Sequence, residues 1–242
     1  MKASPSDQRQ IIDVAAFDQK TTALNHTAAT LPEIAELVAV TTKSHNARDL
    51  RIAAQTEHND VKRELLRAEG DVEQIVTRIT RDEARLSGGS ASPKELEQLQ
   101  HEVGTLNARR AELEEVELEI MMRMDEINAR ISDLQAQEAE LTAQINDLEI
   151  RKENALARIN GELEAIAKER TETLASVSPE FTALYEKIRA SNNGTGAAAL
   201  VAGACTGCHL SINTVELKRM AEIAEDEVVR CEECRCILVR GI

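Results

Sequence analysis

Ser87-Gly88-Gly89-Ser90-Ala91-Ser92-Pro93-Lys94-Glu95-Leu96 stops one helix and starts another. Ser87 to Ser90 reads as a turn. Ser92 can then cap a new helix, Pro93 suits its first position, where no N–H is needed, and Glu95 completes a capping box. Before the turn, Leu65, Val72, Ile79 and Leu86 recur every seven residues with Ala68, Ile75 and Asp82 between them, a heptad seam with one polar flaw. After it, Leu96, Leu99, Val103, Leu106, Leu113, Val116, Ile120, Ile127, Ile131, Leu134, Leu141, Ile145, Leu148, Ile159 and Ile166 keep a three-four rhythm. A stutter is expected near Met121 to Met124. The second helix should run to about Ser176, long enough for Asp7–Leu86 to pair antiparallel with Pro93–Ser176. At 1.5 Å per residue such a hairpin would extend ~120 Å.

The predicted fold is therefore mainly α, a long antiparallel coiled-coil hairpin over 7–176 with its turn near 87–92. Thr30-Leu31-Pro32-Glu33 reads as a second capping box, and Pro32 predicts a kink near 30–32. Between 41 and 60, polar residues such as His45, Arg48 and Asn59 predict the loosest pairing.

The chain ends differently. Ser178-Pro179 predicts a short packing helix over 178–190 that buries Phe181, Leu184, Tyr185 and Ile188 on one face, and Ser191 to Gly196 reads as a loop. Residues 197–242 hold Cys205-Thr-Gly-Cys208 and Cys231-Glu-Glu-Cys234, two C-x-x-C pairs with 22 residues between them. Each pair brings two thiolates of one tight turn to one metal, and together they close a sulfur-only tetrahedron with no open position. The cofactor expected is one structural Zn2+, bound by Cys205, Cys208, Cys231 and Cys234. A helix over Asn213–Glu225 and strands over Glu227–Arg230 and Cys236–Val239 complete the small C-terminal zinc ribbon.

Composition agrees with long helices rather than a large core. Of 242 residues only Phe17, Phe181 and Tyr185 are aromatic, none is Trp, and 30% are charged. A net charge of -14 repels nucleic acid and anionic membranes. Met1 to Gln10 lacks the apolar core of a secretory signal and no stretch is long enough to span a bilayer, so a soluble cytoplasmic protein is expected. Five cysteines, four in metal spacing, suit a reducing compartment.

Two motifs coincide here: Ser92-Pro93-Lys94-Glu95-Leu96 with Leu99-Gln100-His101-Glu102, and Cys231-Glu232-Glu233-Cys234 followed by Ile237-Leu238-Val239. Together they resemble the bacterial C4-type zinc-ribbon family with an N-terminal coiled-coil hairpin, over essentially the whole chain. The resemblance implies the hairpin and ribbon above and a nucleic-acid-binding or regulatory role. Some relatives look like chaperones or adaptors for an alternative sigma factor, flagellar or secretion components, or messenger RNA. Family members often carry Gly and Arg after the last ligand, where this chain has Arg235 and Cys236, so the turn geometry there is open. Cys236 reads as a small apolar residue of the last strand, with ligand exchange or a reactive thiol as alternatives.

The remaining candidates point away from catalysis. His26, His45, His58 and His101 share no metal spacing, and His209 adjoins a filled shell. No nucleophile-base pair or phosphate loop stands out. Glu112, Glu114, Glu115, Glu117 and Glu119 form an acidic block, a solvated face or a docking strip for a basic partner. Ser92, Pro93, Lys94 and Glu95 at the tip either contact a partner or merely fix the turn. From Leu200 onward there is no aromatic residue to stack a base, and acidic residues exceed basic ones. The favoured reading is a non-catalytic adaptor for protein partners, transcription or secretion machinery among them. The alternatives are an RNA- or DNA-binding regulator contacting phosphate through Lys218, Arg219 and Arg240, and a thiol-based zinc sensor. The seam pattern leaves self-association open.

Overall fold

All four prolines of the chain stand at the first position of a helix, where a missing N–H costs nothing and a fixed φ is already helical. A computed structural model describes residues 1–89 and 92–241. In it α1 (Pro5–Ala29), α2 (Pro32–Ser87), α3 (Pro93–Ala175) and α4 (Pro179–Ser191) precede β1 (Ala197–Val201), β2 (Ala204–Cys205), α5 (Thr214–Glu222), β3 (Val229–Arg230) and β4 (Ile237–Val239). Among the described residues no helix is long and apolar enough to cross a membrane. Ser90 and Ala91 of the turn expected near 87–92, and the last residue of the expected ribbon, lie outside the described residues.

At the start of α3 the capping box forms as the sequence suggests. The Ser92 N–H and hydroxyl both donate to Glu95 Oε2 at 2.8 Å, and the Glu95 N–H faces Ser92 Oγ at 3.4 Å. The box expected at Thr30 does not. With Pro32 as the first helical residue, the cap position falls on Leu31, and the Thr30 hydroxyl instead donates back to the His26 carbonyl at 2.8 Å.

The chain divides into two units, Glu36–Leu148 and Met1–Ala35 with Glu149–Ile242. Within Glu36–Leu148, α2 and α3 form an antiparallel hairpin. Ion pairs join Arg51 to Glu138, Glu57 to Arg130, Glu64 to Arg123 and Arg78 to Glu102, one number falling as the other rises. Ala54, Val61 and Ala68 of α2 pack with Ile120, Ile127, Ile131 and Leu134 of α3.

Three expectations are corrected by this seam. Its four-three alternation runs through 113, 117, 120, 124 and 127 without a stutter. Val116 is 47% exposed, and Glu117 is half-buried in its place. From 41 to 60, His45, Arg48 and Asn59 all face solvent, while Ala47 and Ala54 are buried. That segment is closely paired through small residues and through the Arg51–Glu138 ion pair at 2.7 Å.

The other unit is built on a sheet of order β2-β1-β4-β3, with β1 parallel to β4 and the other pairs antiparallel. The parallel strand β1 is Ala-Ala-Ala-Leu-Val, whose alanines carry little strand propensity, and no sequence signal marked it. Ile11, Val14 and Ala15 of α1 and Phe181, Tyr185 and Ile188 of α4 share one buried cluster with Ala197, Ile237 and Val239. The N-terminus is sewn to the ribbon. Lys2 bridges to Glu227, the Ala3 N–H donates to the Asp226 carbonyl at 2.8 Å, and the Val228 N–H donates to the Met1 carbonyl at 3.0 Å. The buried Gln8 amide adds bonds to the Ala3 carbonyl at 3.0 Å and the Glu225 carbonyl at 2.8 Å.

Candidate metal centre and its surroundings

Both C-x-x-C pairs sit on turns of the same construction. In the first, the Cys205 N–H donates to the Leu210 carbonyl at 3.1 Å and the His209 N–H to the Cys205 carbonyl at 2.8 Å. In the second, the Cys231 N–H donates to the Cys236 carbonyl and the Arg235 N–H to the Cys231 carbonyl, each at 3.0 Å. The residue after each second cysteine is left-handed, His209 at φ 60 and Arg235 at φ 63. Glycine would adopt that φ without strain. Arg235 thus answers the open turn geometry: the second knuckle closes as the first does, with a non-glycine residue in the left-handed region.

The sulfurs of Cys205, Cys208, Cys231 and Cys234 all lie within 4.8 Å of one another. Four thiolates 2.3 Å from one zinc sit ~3.8 Å apart along the edges of their tetrahedron. Cys205 and Cys234 are separated by 3.8 Å and Cys208 and Cys231 by 3.9 Å, so the set fits one structural zinc without rearrangement. Burial pushes the Cys205 thiol up, against the N–H groups of Cys208 and Gly207 that favour its thiolate. Burial acts the same way on Cys231, but there the N–H groups of Cys234 and Glu233 and the neighbouring thiols prevail and hold it below its ordinary value. A closed all-sulfur shell holds a fold and activates no water. His209 is exposed beside it.

A CT398-like coiled coil hairpin domain matches residues 14–193. The chain belongs to the CT398-like hairpin family. A C4-type zinc ribbon domain matches residues 204–238. A protein of Mycobacterium tuberculosis is 34% identical over 241 residues, covering 99% of this chain and 98% of its own length. One from Mycobacterium leprae is 25% identical over 228 residues, covering 93% and 96%. A solved Mycobacterium smegmatis structure matches all of both chains with a TM-score of 0.87 at 29% identity. CT398 from Chlamydia trachomatis shares the fold, with a TM-score of 0.67 at 18% identity, covering 97% of this chain and 98% of that one.

In this CT398-like chain the three cations considered for phosphate contact do not act together. The Arg240 guanidinium donates to the carbonyls of Met220, Ile223, Ala224 and Glu227, tying the end of α5 to the loop before β3. Arg219 pairs with Glu216 and lies 3.9 Å from Glu232. Lys218 is exposed without an ion-pair partner among the described residues. At the hairpin tip, Ser92 and Glu95 satisfy each other, and the Ser92 N–H and hydroxyl hold the Glu95 carboxyl below its ordinary value. Pro93 and Lys94 are exposed.

Two features escaped the sequence. One is a buried polar network: Asp18, 6% exposed, accepts from the Tyr185 hydroxyl at 2.6 Å and from Arg170 Nε at 2.8 Å, with Arg189 at 3.4 Å. Burial and the Asp18 carboxylate both push the Tyr185 hydroxyl far up. Glu186 joins Arg170 at 2.5 Å and Arg189 at 2.9 Å. The other is a gap in the interhelical ladder on one flank of the hairpin. By heptad spacing, the Glu57–Arg130 and Glu64–Arg123 pairs should be followed by residues 71 and 116, and there an Asp meets a Val. A hollow of about 680 Å3 lies there, lined by Ala68, Leu113, Val116 and Ile120 among others. Arg67, Asp71 and Glu119 on its rim make no ion pair among the described residues.

Proposed function

We propose that the protein is a non-catalytic adaptor of the cytoplasm, engaging protein partners through its hairpin and ribbon, with the metal in a purely structural role. The observation that supports this reading most is the missing rung at Asp71 and Val116. An exposed carboxylate and an exposed apolar side chain lining the same hollow suit an apolar knob flanked by cations from a partner helix. The surrounding charge favours a basic partner: residues 36–148 contain 24 Asp and Glu against 14 Lys and Arg. Against a nucleic-acid role, the Arg240 donors are committed to carbonyls and Arg219 is neutralised.

The test is affinity purification of the tagged chain from its native cells, with and without nuclease, beside the variant D71K/E119K. The adaptor reading expects a stoichiometric protein that survives nuclease and is lost from the variant. Co-purification of nucleic acid alone, or equal capture by parent and variant, would overturn it.

A further inference from the structure

Cys236 occupies the place in the second knuckle that Leu210 occupies in the first, since each carbonyl accepts from the N–H of its knuckle's first cysteine. The two side chains are treated differently. Leu210 is 50% exposed, whereas Cys236 is wholly buried with its Sγ 3.1 Å from Cys234 Sγ and 3.8 Å from Cys205 Sγ. A side chain serving only as apolar filling has no need to bring sulfur to two ligand sulfurs.

We propose that Cys236 is a reserve zinc ligand, able to take the corner of the tetrahedron that Cys234 holds. The 3.8 Å to Cys205 equals the Cys205–Cys234 separation, so Cys236 stands at a ligand-to-ligand distance from the neighbouring corner. Its 3.1 Å to Cys234 is shorter than the ~3.8 Å edge between two thiolates on one zinc, so the two sulfurs serve one corner in alternation. In the exchange the zinc–sulfur bond to Cys234 breaks and that to Cys236 forms, while the Cys236 thiol proton passes to the Cys234 sulfur. Nothing is oxidised and the site keeps its charge. Cys234 is the more exposed of the two, so the corner open to attack is backed by a thiol shielded from it.

Cobalt substitution of the full chain reads the number of bound thiolates directly, through the intensity of the thiolate-to-cobalt absorption. The variants are C234S, C236A, C208S and the double C234S/C236A. The expected result is full four-thiolate intensity for C234S and for C236A. The double variant and C208S should fall to about three quarters, one thiolate fewer in the shell. A C234S protein that drops to the level of the double variant, or that binds no cobalt, overturns the proposal. So does a C236A protein that loses a thiolate, because Cys236 would then be a resident ligand.

Discussion

The two units of this chain are held by opposite means. Glu36–Leu148 repeats one device, a four-three seam in which alanine and isoleucine recur, with charge pairs such as Arg51–Glu138 setting the register. The unit holding the ribbon repeats only its two knuckle turns. It depends on a metal, the buried rings of Phe181 and Tyr185, a five-residue polar network and the N-terminus sewn on as an extra edge. A repetitive seam spreads its stability over many equivalent positions, whereas a singular core concentrates it in a few.

The largest effect should come from removing the metal. Structural zinc supplies roughly 10–16 kcal/mol of apparent binding free energy in small zinc domains. Chelation or C205S should therefore release residues 197–241 to rapid amide exchange while leaving residues 99–148 protected; equal loss in both would erase the distinction. Next, Asp18→Ala removes the charge-assisted bonds of the buried Tyr185 hydroxyl and of Arg170, which keeps only Glu186, at about 1.5–3 kcal/mol for each bond lost. The matching change in the hairpin, R51M/E138L, should be neutral or stabilising in a denaturant titration, because both partly buried charges leave together.

Gly196→Ala is smaller but local: a Cβ there would lie 2.4 Å from the Tyr185 ring, and overpacking costs about 1–3 kcal/mol, visible as a lower thermal midpoint. Relieving the left-handed strain with Arg235→Gly should raise stability by about 1 kcal/mol or tighten zinc, the reverse of glycine's usual effect. Acid sharpens the same contrast. Burial pushes the Glu186 carboxyl up, but Arg170 and Arg189 outweigh it and hold it below its ordinary 4.5. Its folded pKa is depressed, so its contribution is present above pH 4.5 and is lost as pH falls through the lower folded value. Amide exchange near residues 170–189 should rise over that interval.

Much of this was legible because it is periodic or local. The seam of α2, the capping box at Ser92–Glu95 and the four ligands each rest on fixed spacing, which a single sequence displays. What escaped was non-local. Asp18 meets Tyr185 across 167 positions, and Lys2 bridges to Glu227 at the other end of the chain. No spacing rule announces such meetings. The displaced Val116 and the supposed looseness of 41–60 have another cause: small and charged residues occupy seam positions, and a hydrophobic pattern then locks onto a neighbouring apolar residue.

The most direct measurement is amide exchange on the purified complex of this protein with its nuclease-resistant partner, compared with the free chain. Docking at the missing rung predicts slowed exchange in residues 64–71 and 113–123, and none of it in D71K/E119K. Protection confined to residues 205–241, or dependent on added nucleic acid, would contradict it.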